Sequence, residues 1–316
     1  MSLSEPFWRI VFFGTPSFAV PTLERLYQGP DQVMAVVTQP DRGKGRGQKV
    51  LYSPVKEAAR RNRIPLFQPE KVREEAFQEE IKKISSDLFV VVAFGQLLPK
   101  SLLGIPKFGA INVHASLLPS YRGAAPVQWA ILNDEKATGV TTIMMDEGMD
   151  TGDILLQREV TIGERENAET LHGRLSFAGA ELLSETIERM KSGRLHPVKQ
   201  NHSVATSAPV LRKEDGRIDW KKDARAVDCL VRGLFLWPGA CTYWEEKLLK
   251  VFGGEGTERE SGGIPGTVLW VCPEFIEVKS GKGSFLIREV QLEGKRRMKV
   301  KEFLLGHPIP VGTILK

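Results

Sequence analysis

LFVVVAF, residues Leu88 to Phe94, is the longest apolar run in this chain of 316 residues. Successive side chains of a β-strand point to opposite faces of the sheet, and here both faces are apolar. A strand with two apolar faces is typical of the middle of a parallel sheet that helices cover on both sides. We therefore place Leu88–Phe94 at the centre of such a sheet.

Short apolar segments on both sides of this run alternate with helical patterns. Ser53 followed by Pro54 indicates a helix start, Glu74–Ile84 has an amphipathic helical pattern, and Ala168–Lys191 carries apolar residues at helical spacing. Strands separated by helices form βαβ units, so an α/β fold is predicted, with a Rossmann-like, mostly parallel sheet and helices on both faces. The predicted strands are Arg9–Phe13, Gln32–Thr38, Leu66–Gln68, Asp87–Phe94, Ala110–His114 and Val140–Met145.

The pattern changes after Gly193, which agrees with the two domains that the length suggests. Residues 194–211 carry no periodic apolar pattern and are interpreted as a linker. Beyond them come short strands interrupted by Gly and Pro, a spacing that predicts a small, OB-like β-barrel. The predicted domains are residues 1–193 and 212–316. The predicted barrel strands are Leu248–Phe252, Gly266–Val271, Ile276–Lys279 and Ser284–Val290.

Composition excludes several classes of protein. Hydrophobic residues make up 41% of the chain and charged residues 26%, which argues against disordered and collagen-like proteins. No apolar run approaches the roughly twenty residues that cross a bilayer. The short apolar stretch between Glu5 and Gly14 does not resemble a secretory signal, so a cytoplasmic location is expected. Three cysteines without a C-x-x-C pair argue against a disulfide framework and a zinc ribbon.

The net charge of +5 is concentrated in the last third of the chain. Residues 212–316 carry 19 Lys and Arg against 15 Asp and Glu, whereas residues 1–211 are almost balanced. This distribution is compatible with an anionic partner, although many basic domains bind no nucleic acid.

A glycine-rich basic loop, QPDRGKGRGQK, occupies residues 39–49 and contains four cations and one acid. Glycines let a backbone approach a partner closely, and Lys or Arg neutralises phosphates. A solvated surface loop is the alternative, but the loop follows the carboxyl end of a strand, where open α/β sheets bind ligands. The turn Gly14–Ser17, by contrast, has one of the three glycines of the dinucleotide motif and is interpreted as a tight turn.

Asn112 and His114 lie two residues apart on a predicted strand and so share one face of the sheet. Polar side chains on an interior strand are unfavourable unless they are partnered. A single strand histidine is commonly a core residue, but this pair at the carboxyl end of a strand favours a catalytic role. Downstream, Met144–Asp153 contains four acids without calcium-loop spacing. One of them could fix the tautomer of His114, and the spacing does not decide which.

Asn112-x-His114, the following Ser-Leu-Leu-Pro and the later Asp-Thr-Gly-Asp resemble the motifs of the folate-dependent formyltransferases. In that family the Asn, the His and the first Asp of the last motif form the catalytic trio. The Ser-Leu-Leu-Pro stretch lies against 10-formyltetrahydrofolate, and no metal is needed. The resemblance therefore implies catalytic roles for Asn112, His114 and Asp150. It implies folate binding by Ser116, Leu117, Leu118 and Pro119.

Further motifs resemble the methionyl-tRNA branch of that family: Phe13–Pro16, Thr38–Arg42, Tyr121–Pro126, Arg217–Trp220 and Trp237–Ala240. The resemblance implies transfer of the formyl group to the α-amine of methionyl-initiator-tRNA by direct attack. Separately, we expect a monomer without membrane contact. Formyl transfer to an amino sugar or another small amine, hydrolysis of the folate, and non-catalytic RNA binding remain as alternatives.

In the methionyl-tRNA branch the basic loop inserts toward the acceptor end of the tRNA, and the C-terminal barrel contacts the tRNA backbone. The residues Gly43-Lys44 are a departure, because relatives vary at this point of the loop. The resemblance implies Arg46 as the critical loop cation. The other implied tRNA-binding residues are Arg42, Lys44 and Lys49 in the loop and Lys295, Arg296, Arg297 and Lys299 in the barrel.

Overall fold

The computed structural model describes residues 7–44, 49–259 and 262–316. They form two compact units. Unit 1 comprises the residues up to Ala124, Thr138–Thr161 and His172–Ala208. Unit 2 comprises Ala125–Ala137, Ile162–Leu171 and Pro209–Lys316. Within the described ranges, no helix is both long and apolar enough to cross a membrane.

The strands and helices are numbered along the chain. The strands are β1 (Arg9–Gly14), β2 (Gln32–Val37), β3 (Arg42–Lys44), β4 (Lys49–Leu51), β5 (Leu66–Phe67), β6 (Leu88–Val92), β7 (Ala110–His114), β8 (Arg122–Gly123), β9 (Ala137–Met144), β10 (Ile154–Thr161), β11 (Ser207–Ala208), β12 (Ala240–Trp244), β13 (Lys247–Thr257), β14 (Val268–Val271), β15 (Ile276–Lys279), β16 (Ser284–Leu292) and β17 (Met298–Lys299). The α-helices are α1 (Val20–Gln28), α2 (Pro54–Arg61), α3 (Glu75–Lys82), α4 (Lys100–Leu103), α5 (Pro126–Leu132), α6 (Ala168–Lys191), α7 (Ala224–Gly233) and α8 (Val300–Gly306). Short 3-10 helices cover Ser17–Ala19, His202–Val204 and Lys213–Gly216.

Unit 1 contains a seven-stranded sheet in the order β10-β9-β7-β6-β1-β2-β5. The pairs β6–β1, β1–β2, β2–β5 and β6–β7 are parallel, and β9 pairs antiparallel with β7. All five residues of β6 are buried, as a central strand with two apolar faces requires. The predicted α/β fold class is therefore confirmed.

Local sequence signals account for the boundaries of helices α2 and α6. The Ser53 hydroxyl accepts the backbone N–H of Lys56 at 3.1 Å, and Pro54 occupies the first turn of α2, where its missing N–H costs nothing. Helix α6 spans Ala168–Lys191, the range that the spacing of its apolar residues predicts. Buried Leu171, Leu175 and Leu183 lie along that spacing.

Unit 2 contains an antiparallel sheet in the order β12-β13-β16-β15-β14, and its two edges are joined by the segment that ends at Lys316. Val268 of β14 exchanges backbone hydrogen bonds with Gly312 and Thr313, and Tyr243 of β12 does so with Lys316. These bonds satisfy both edge strands and close the sheet, so the predicted β-barrel is confirmed. Its core includes Leu249, Phe285, Ile287 and Phe303.

Two segments from before residue 194 also belong to unit 2. Helix α5 packs against α7 through a small apolar cluster that contains Trp129, Leu132 and Leu230. Asp134, just after α5, accepts the Arg225 Nε–H at 3.0 Å, and Arg232 donates to Glu166 O at 3.0 Å. These contacts explain why residues 125–137 and 162–171 group with the residues that follow Pro209.

The segment interpreted as a linker is ordered over much of its length. Strand β11 pairs in parallel with β8, with Ser207 opposite Arg122 and Ala208 opposite Gly123. Gln200 is buried, and Ile154 and Val198 form an antiparallel bridge. Residues up to Ala208 are therefore an integral part of unit 1.

Candidate active site

The predicted polar pair lies at the carboxyl end of β7, an interior strand of the unit 1 sheet. Strand β7 pairs with β6 on one side and β9 on the other. His114 is 6% exposed and Asn112 is half-buried, on the same face of the strand. Two polar side chains in such surroundings need partners, and the structure provides them.

Asp150 is the acid that meets this pair. One carboxylate oxygen, Oδ1, accepts the Asn112 amide at 3.2 Å and lies 3.5 Å from His114 Nδ1. The other oxygen, Oδ2, accepts the backbone N–H of Gly123 at 2.9 Å. Because a carboxylate only accepts, the Asn112 amide must point its nitrogen toward Asp150. The sequence left four acids open, and the structure brings Asp150 to His114.

Two of the other acids have different contacts. Asp146 accepts the backbone N–H of Gly148 at 3.0 Å and the Thr151 hydroxyl at 2.6 Å, so it shapes the loop. Glu147 is exposed and lies 3.1 Å from Lys100 Nζ. Among the residues that the structure describes, no group of three or more His, Cys, Asp and Glu side chains could hold a metal ion.

The orientation of the His114 ring follows from its second contact. Its Nε2 lies 2.9 Å from the carbonyl oxygen of Tyr121. A carbonyl oxygen only accepts, so Nε2 carries a proton and donates it to this bond. Nδ1 then faces Asp150 Oδ1 at a distance longer than the usual 2.7–2.9 Å of a strong charged hydrogen bond. The bond to Tyr121 holds the ring in place, whereas the contact between Nδ1 and Asp150 Oδ1 is weaker than a strong hydrogen bond.

The predicted folate stretch forms a tight turn directly after β7. Ser116 and Leu118 are buried, and Leu117 and Pro119 are half-buried. The Ser116 hydroxyl donates to Ser120 O at 2.6 Å, and the peptide bond before Pro119 is cis. The side chains of Ser116 and Leu118 thus stabilise the turn, and Leu117 and Pro119 keep partly accessible surface.

Three contributors to the site carried no role in the sequence interpretation: the Tyr121 carbonyl, the Gly123 N–H and the Gln200 amide. Gly123 has φ +119°, and a Cβ there would lie 2.7 Å from Ala208 O, so only glycine fits where β8 pairs with β11. Tyr121 and Gly123 flank Arg122 in a motif already noted for the resemblance. Gln200 lies in the segment interpreted as a linker, where no pattern distinguishes it.

The basic loop begins as an antiparallel hairpin of β3 and β4, in which Lys44 pairs with Lys49. The backbones of Arg42, Lys44 and Lys49 are therefore placed on the two arms, while Arg46 lies outside the described residues. Asp41, just before the hairpin, forms an ion pair with Lys56 and accepts Gln68 Nε2 at 3.1 Å. The hydrogen bond from Lys56 lowers the pKa of Asp41 below its usual range.

The predicted C-terminal cations differ in how they are held. Arg297 donates to Glu289 at 2.8 Å, and its guanidinium lies 4.8 Å from the Phe235 ring centroid and 4.5 Å from that of Phe252. Arg296 is paired with Glu302 at 2.9 Å. The remaining two, Lys295 and Lys299, are exposed, and among the residues that the structure describes only Lys299 of these two approaches an acid, Glu289 at 3.9 Å. Arg297 is thus an anchored residue and Lys295 a solvated one.

Two models of protein families match this chain. Residues 8–187 match the model described as formyl transferase, and residues 210–308 match the one described as formyl transferase, C-terminal domain. The first match contains the trio Asn112, His114 and Asp150. The second contains the barrel strands β12 to β17.

Individual proteins agree with the family models. Methionyl-tRNA formyltransferase of Caldanaerobacter subterraneus is 50% identical over 98% of this chain and 100% of its own length. Methionyl-tRNA formyltransferase of Citrifermentans bemidjiense is 53% identical over 97% and 96%. Among solved structures, an N-formyltransferase of Helicobacter canadensis, in complex with folinic acid and dTDP-3-aminofucose, has a TM-score of 0.67 at 22% identity. It covers 91% of this chain and 100% of its own, and supports the fold. The chain belongs to the formyl transferase family.

Proposed function

We propose that the chain transfers the formyl group of 10-formyltetrahydrofolate to the α-amine of methionyl-initiator-tRNA, giving N-formylmethionyl-tRNA. The observation that carries this proposal is the contact of Asn112 and His114 with Asp150 at the carboxyl end of β7. The choice of methionyl-tRNA as the acceptor is supported by the methionyl-tRNA formyltransferases that are about 50% identical to this chain over nearly its whole length. We place the protein in the cytoplasm as a monomer.

The proposed reaction needs no nucleophile from the protein. An α-amine has a pKa of roughly 8, so a useful fraction is neutral and can attack the formyl carbon directly. A bond forms between the amine nitrogen and the formyl carbon, and the bond from that carbon to N10 of the folate breaks. One proton leaves the amine and one reaches N10, so the protein has to stabilise an oxygen and to move a proton.

Asn112 is proposed to stabilise the formyl oxygen as negative charge develops on it. Its side-chain nitrogen has two hydrogens, and one donates to Asp150 Oδ1 at 3.2 Å. This bond fixes the amide orientation and leaves the second hydrogen for the substrate oxygen. One such donor typically contributes about 10²- to 10³-fold to the rate.

His114 and Asp150 are proposed to hold and move the proton. Nδ1 of the histidine and Oδ1 of the aspartate are 3.5 Å apart. Nδ1, with the carboxylate beside it, is proposed to take the proton that leaves the amine and to pass it through a bridging water to N10 of the folate. The Tyr121 carbonyl keeps the ring from rotating while this happens. Proton transfer by a positioned side chain contributes roughly 10²- to 10⁴-fold.

Residues Ser116 to Pro119 are proposed to bind the folate. Ser116 and Leu118 are buried and support the shape of the turn, which the Ser116 hydroxyl stabilises by its bond to Ser120 O. Leu117 and Pro119, which are half-buried, supply the apolar surface against which the planar pterin can lie. The partly accessible apolar side chains of Leu117 and Pro119 fit such a ring.

The tRNA is proposed to contact both the hairpin and the barrel. Arg42, Lys44, Arg46 and Lys49 belong to the basic loop, and Lys295, Arg296, Arg297 and Lys299 to the barrel. Lys and Arg neutralise phosphates without recognising sequence, so the barrel cations contribute affinity for tRNA. The loop around Arg46 is proposed to discriminate the initiator. In this proposal unit 1, which extends to Ala208, carries the chemistry and the basic loop, and residues 212–316 bind the tRNA backbone.

The formylation assay tests the proposed function directly. Purified protein is incubated with 10-formyltetrahydrofolate and with initiator or elongator methionyl-tRNA, and formyl-methionine is measured after deacylation. We expect product from the initiator and much less from the elongator. Absence of product with tRNA that a known enzyme formylates would exclude the proposal. Product from an amino sugar, or folate hydrolysis alone, would identify another member of the family.

A further inference from the structure

A buried glutamine outside the trio connects the Asp150 loop to the segment that returns past the site. Gln200 is 6% exposed and lies in unit 1. Its side-chain nitrogen donates to Asp150 O at 2.8 Å and to Gly152 O at 2.7 Å. The amide therefore spans the two carbonyls on either side of Thr151.

The oxygen of the same amide is also fully used. Gln200 Oε1 accepts Arg122 Nε at 3.1 Å and Arg122 Nη2 at 2.6 Å. Arginine only donates and backbone carbonyls only accept, so the amide has one satisfactory orientation. Both donors and both lone pairs of Gln200 are thereby engaged. A replacement of similar size without an amide loses four hydrogen bonds together.

The loop that Gln200 holds requires such support. Asp150 has φ +55°, a conformation that is uncommon outside glycine, although aspartate adopts it more readily than most residues, so the contacts around Asp150 help to hold it. The carboxylate contacts with Asn112 and Gly123 fix one side of this residue. The bond from Gln200 to its carbonyl fixes the other side. The direction of the carboxylate relative to His114 depends on both.

We infer that Gln200 is a positioning residue for formyl transfer, which acts by holding the Asp150 backbone so that its carboxylate faces Asn112 and His114. This inference rests on the proposed function. A misplacement of a catalytic group by about 1 Å can cost roughly 10²-fold in rate. The loss of Gln200 should therefore appear in kcat and leave the binding of both substrates nearly unchanged.

The test compares two buried glutamines in the same unit. Gln200→Met keeps the side-chain length and removes the amide. Gln78→Met is the matched control, because Gln78 is 8% exposed and its nitrogen donates to Arg73 O at 3.2 Å and lies 3.5 Å from Val72 O, at the start of α3. We expect kcat of the formylation reaction to fall about 100-fold for Gln200→Met. Its KM values should change less than about threefold, and kcat of Gln78→Met should stay within about twofold of wild type.

A double variant separates positioning from general structural damage. If Gln200 acts through Asp150, Gln200→Met should lower the rate little further in a protein that already carries Asp150→Asn. Multiplicative losses in the double variant would overturn the inference, as would an unchanged kcat or a rise in KM alone. Should Gln200→Met fail to fold, Gln200→Glu serves instead, since it retains an oxygen for Arg122 and lacks the donors. The same fall in kcat is then expected.

The wild-type assay distinguishes failure of the inference about Gln200 from failure of the proposed function. Wild-type protein that formylates methionyl-tRNA, together with an equally active Gln200 variant, contradicts the inference and leaves the proposed function intact. Wild-type protein without this activity contradicts both.

Discussion

Nδ1 of His114 lies 3.5 Å from Oδ1 of Asp150, and the same oxygen accepts the Asn112 amide at 3.2 Å. The carboxylate is thus shared between the two polar side chains of β7. Its second oxygen is occupied by the Gly123 N–H. Any change at Asp150 therefore alters the orientation of the amide and the proton position on the ring together.

Asp150→Asn should abolish most of the turnover. An amide in place of the carboxylate presents a donor or a neutral acceptor to His114 and cannot hold a proton. We expect kcat to fall about 10²- to 10⁴-fold with little change in KM, measured by steady-state formylation. Glu147→Gln in the same loop is the matched control, since Glu147 is exposed and lies 3.1 Å from Lys100 Nζ. Equal losses in the two variants would contradict the role of Asp150.

Asn112→Asp should lower kcat about 10²- to 10³-fold, because it replaces the proposed oxyanion donor with an acceptor. It also sets two carboxylates against each other where the amide nitrogen now lies 3.2 Å from Asp150. Asn62→Asp provides the comparison, as Asn62 ends α2 and donates to Ala58 O at 3.1 Å. Single-turnover rates at saturating substrate report the difference, and a normal rate for Asn112→Asp would remove Asn112 from the mechanism.

Gly152→Ala should reduce both stability and activity. A Cβ at this position would lie 1.8 Å from Met144 O, so the backbone of the Asp150 loop has to move. A cost of about 1–3 kcal/mol in the free energy of unfolding is expected, measured by urea denaturation. Gly173→Ala should do the opposite, because no other part of the described chain lies within 4 Å of a Cβ there and alanine favours the helix by roughly 0.5–1 kcal/mol. A harmless Gly152→Ala would mean that the loop conformation is not required.

Lys295→Ala and Arg297→Ala should separate tRNA affinity from stability. Lys295 is exposed, and its loss should weaken tRNA binding and reduce the slope of log affinity against log salt by about 1. Arg297 contacts two phenylalanine rings and Glu289, so its loss should lower the melting temperature. About 1–2 kcal/mol is expected, or a few degrees. Filter binding at several salt concentrations and calorimetry measure the two effects, and a reversed pattern would contradict this division.

Asp134→Asn should destabilise the protein in a pH-dependent way. The hydrogen bond from Arg225 lowers the pKa of Asp134 from 3.8 to about 2. A depressed folded-state pKa stabilises the native state fully above pH 3.8, and this contribution disappears as the pH falls toward 2. Because Asp134 is 37% exposed, solvent screening limits the effect to about 1 kcal/mol. Denaturation of wild type and variant from pH 7 to pH 3 should show the difference in stability narrowing below pH 4, and a constant difference would contradict the assignment.

Strong local patterns made much of the fold predictable. Leu88–Phe94 is apolar on both faces, and the structure gives β6 at the centre of the sheet. Helix α6 has its predicted bounds because its apolar spacing is regular. Helix α7 was not predicted, although Asp223 precedes Val227, Leu230 and Val231 at helical spacing. The pattern of a short helix is easily missed in a region where most segments are strands. The closing contact of Tyr243 with Lys316 depends on residues far apart in the chain, which no local pattern reveals.

Within the candidate site, spacing predicted only the relation between side chains that lie on the same strand. Asn112 and His114 are two residues apart, so their common face follows from strand geometry. The partner acid could not be chosen from spacing, because the loop conformation depends on Asp146, Gly152 and a distant glutamine. Gln200 lies 50 residues from Asp150 in a segment without periodicity. Contacts of this kind come from tertiary structure alone.

The pairing of β8 with β11 has a consequence for the recombination of related chains. The two family matches end and begin at residues 187 and 210, which suggests an exchange point anywhere between them. A hybrid joined near residue 193 would combine the Asp150 loop of one parent with the Gln200 of the other. A hybrid joined after Ala208 would take both the Asp150 loop and Gln200 from the same parent. Exchange of the C-terminal part between members of this family should therefore preserve activity at the second junction more often than at the first.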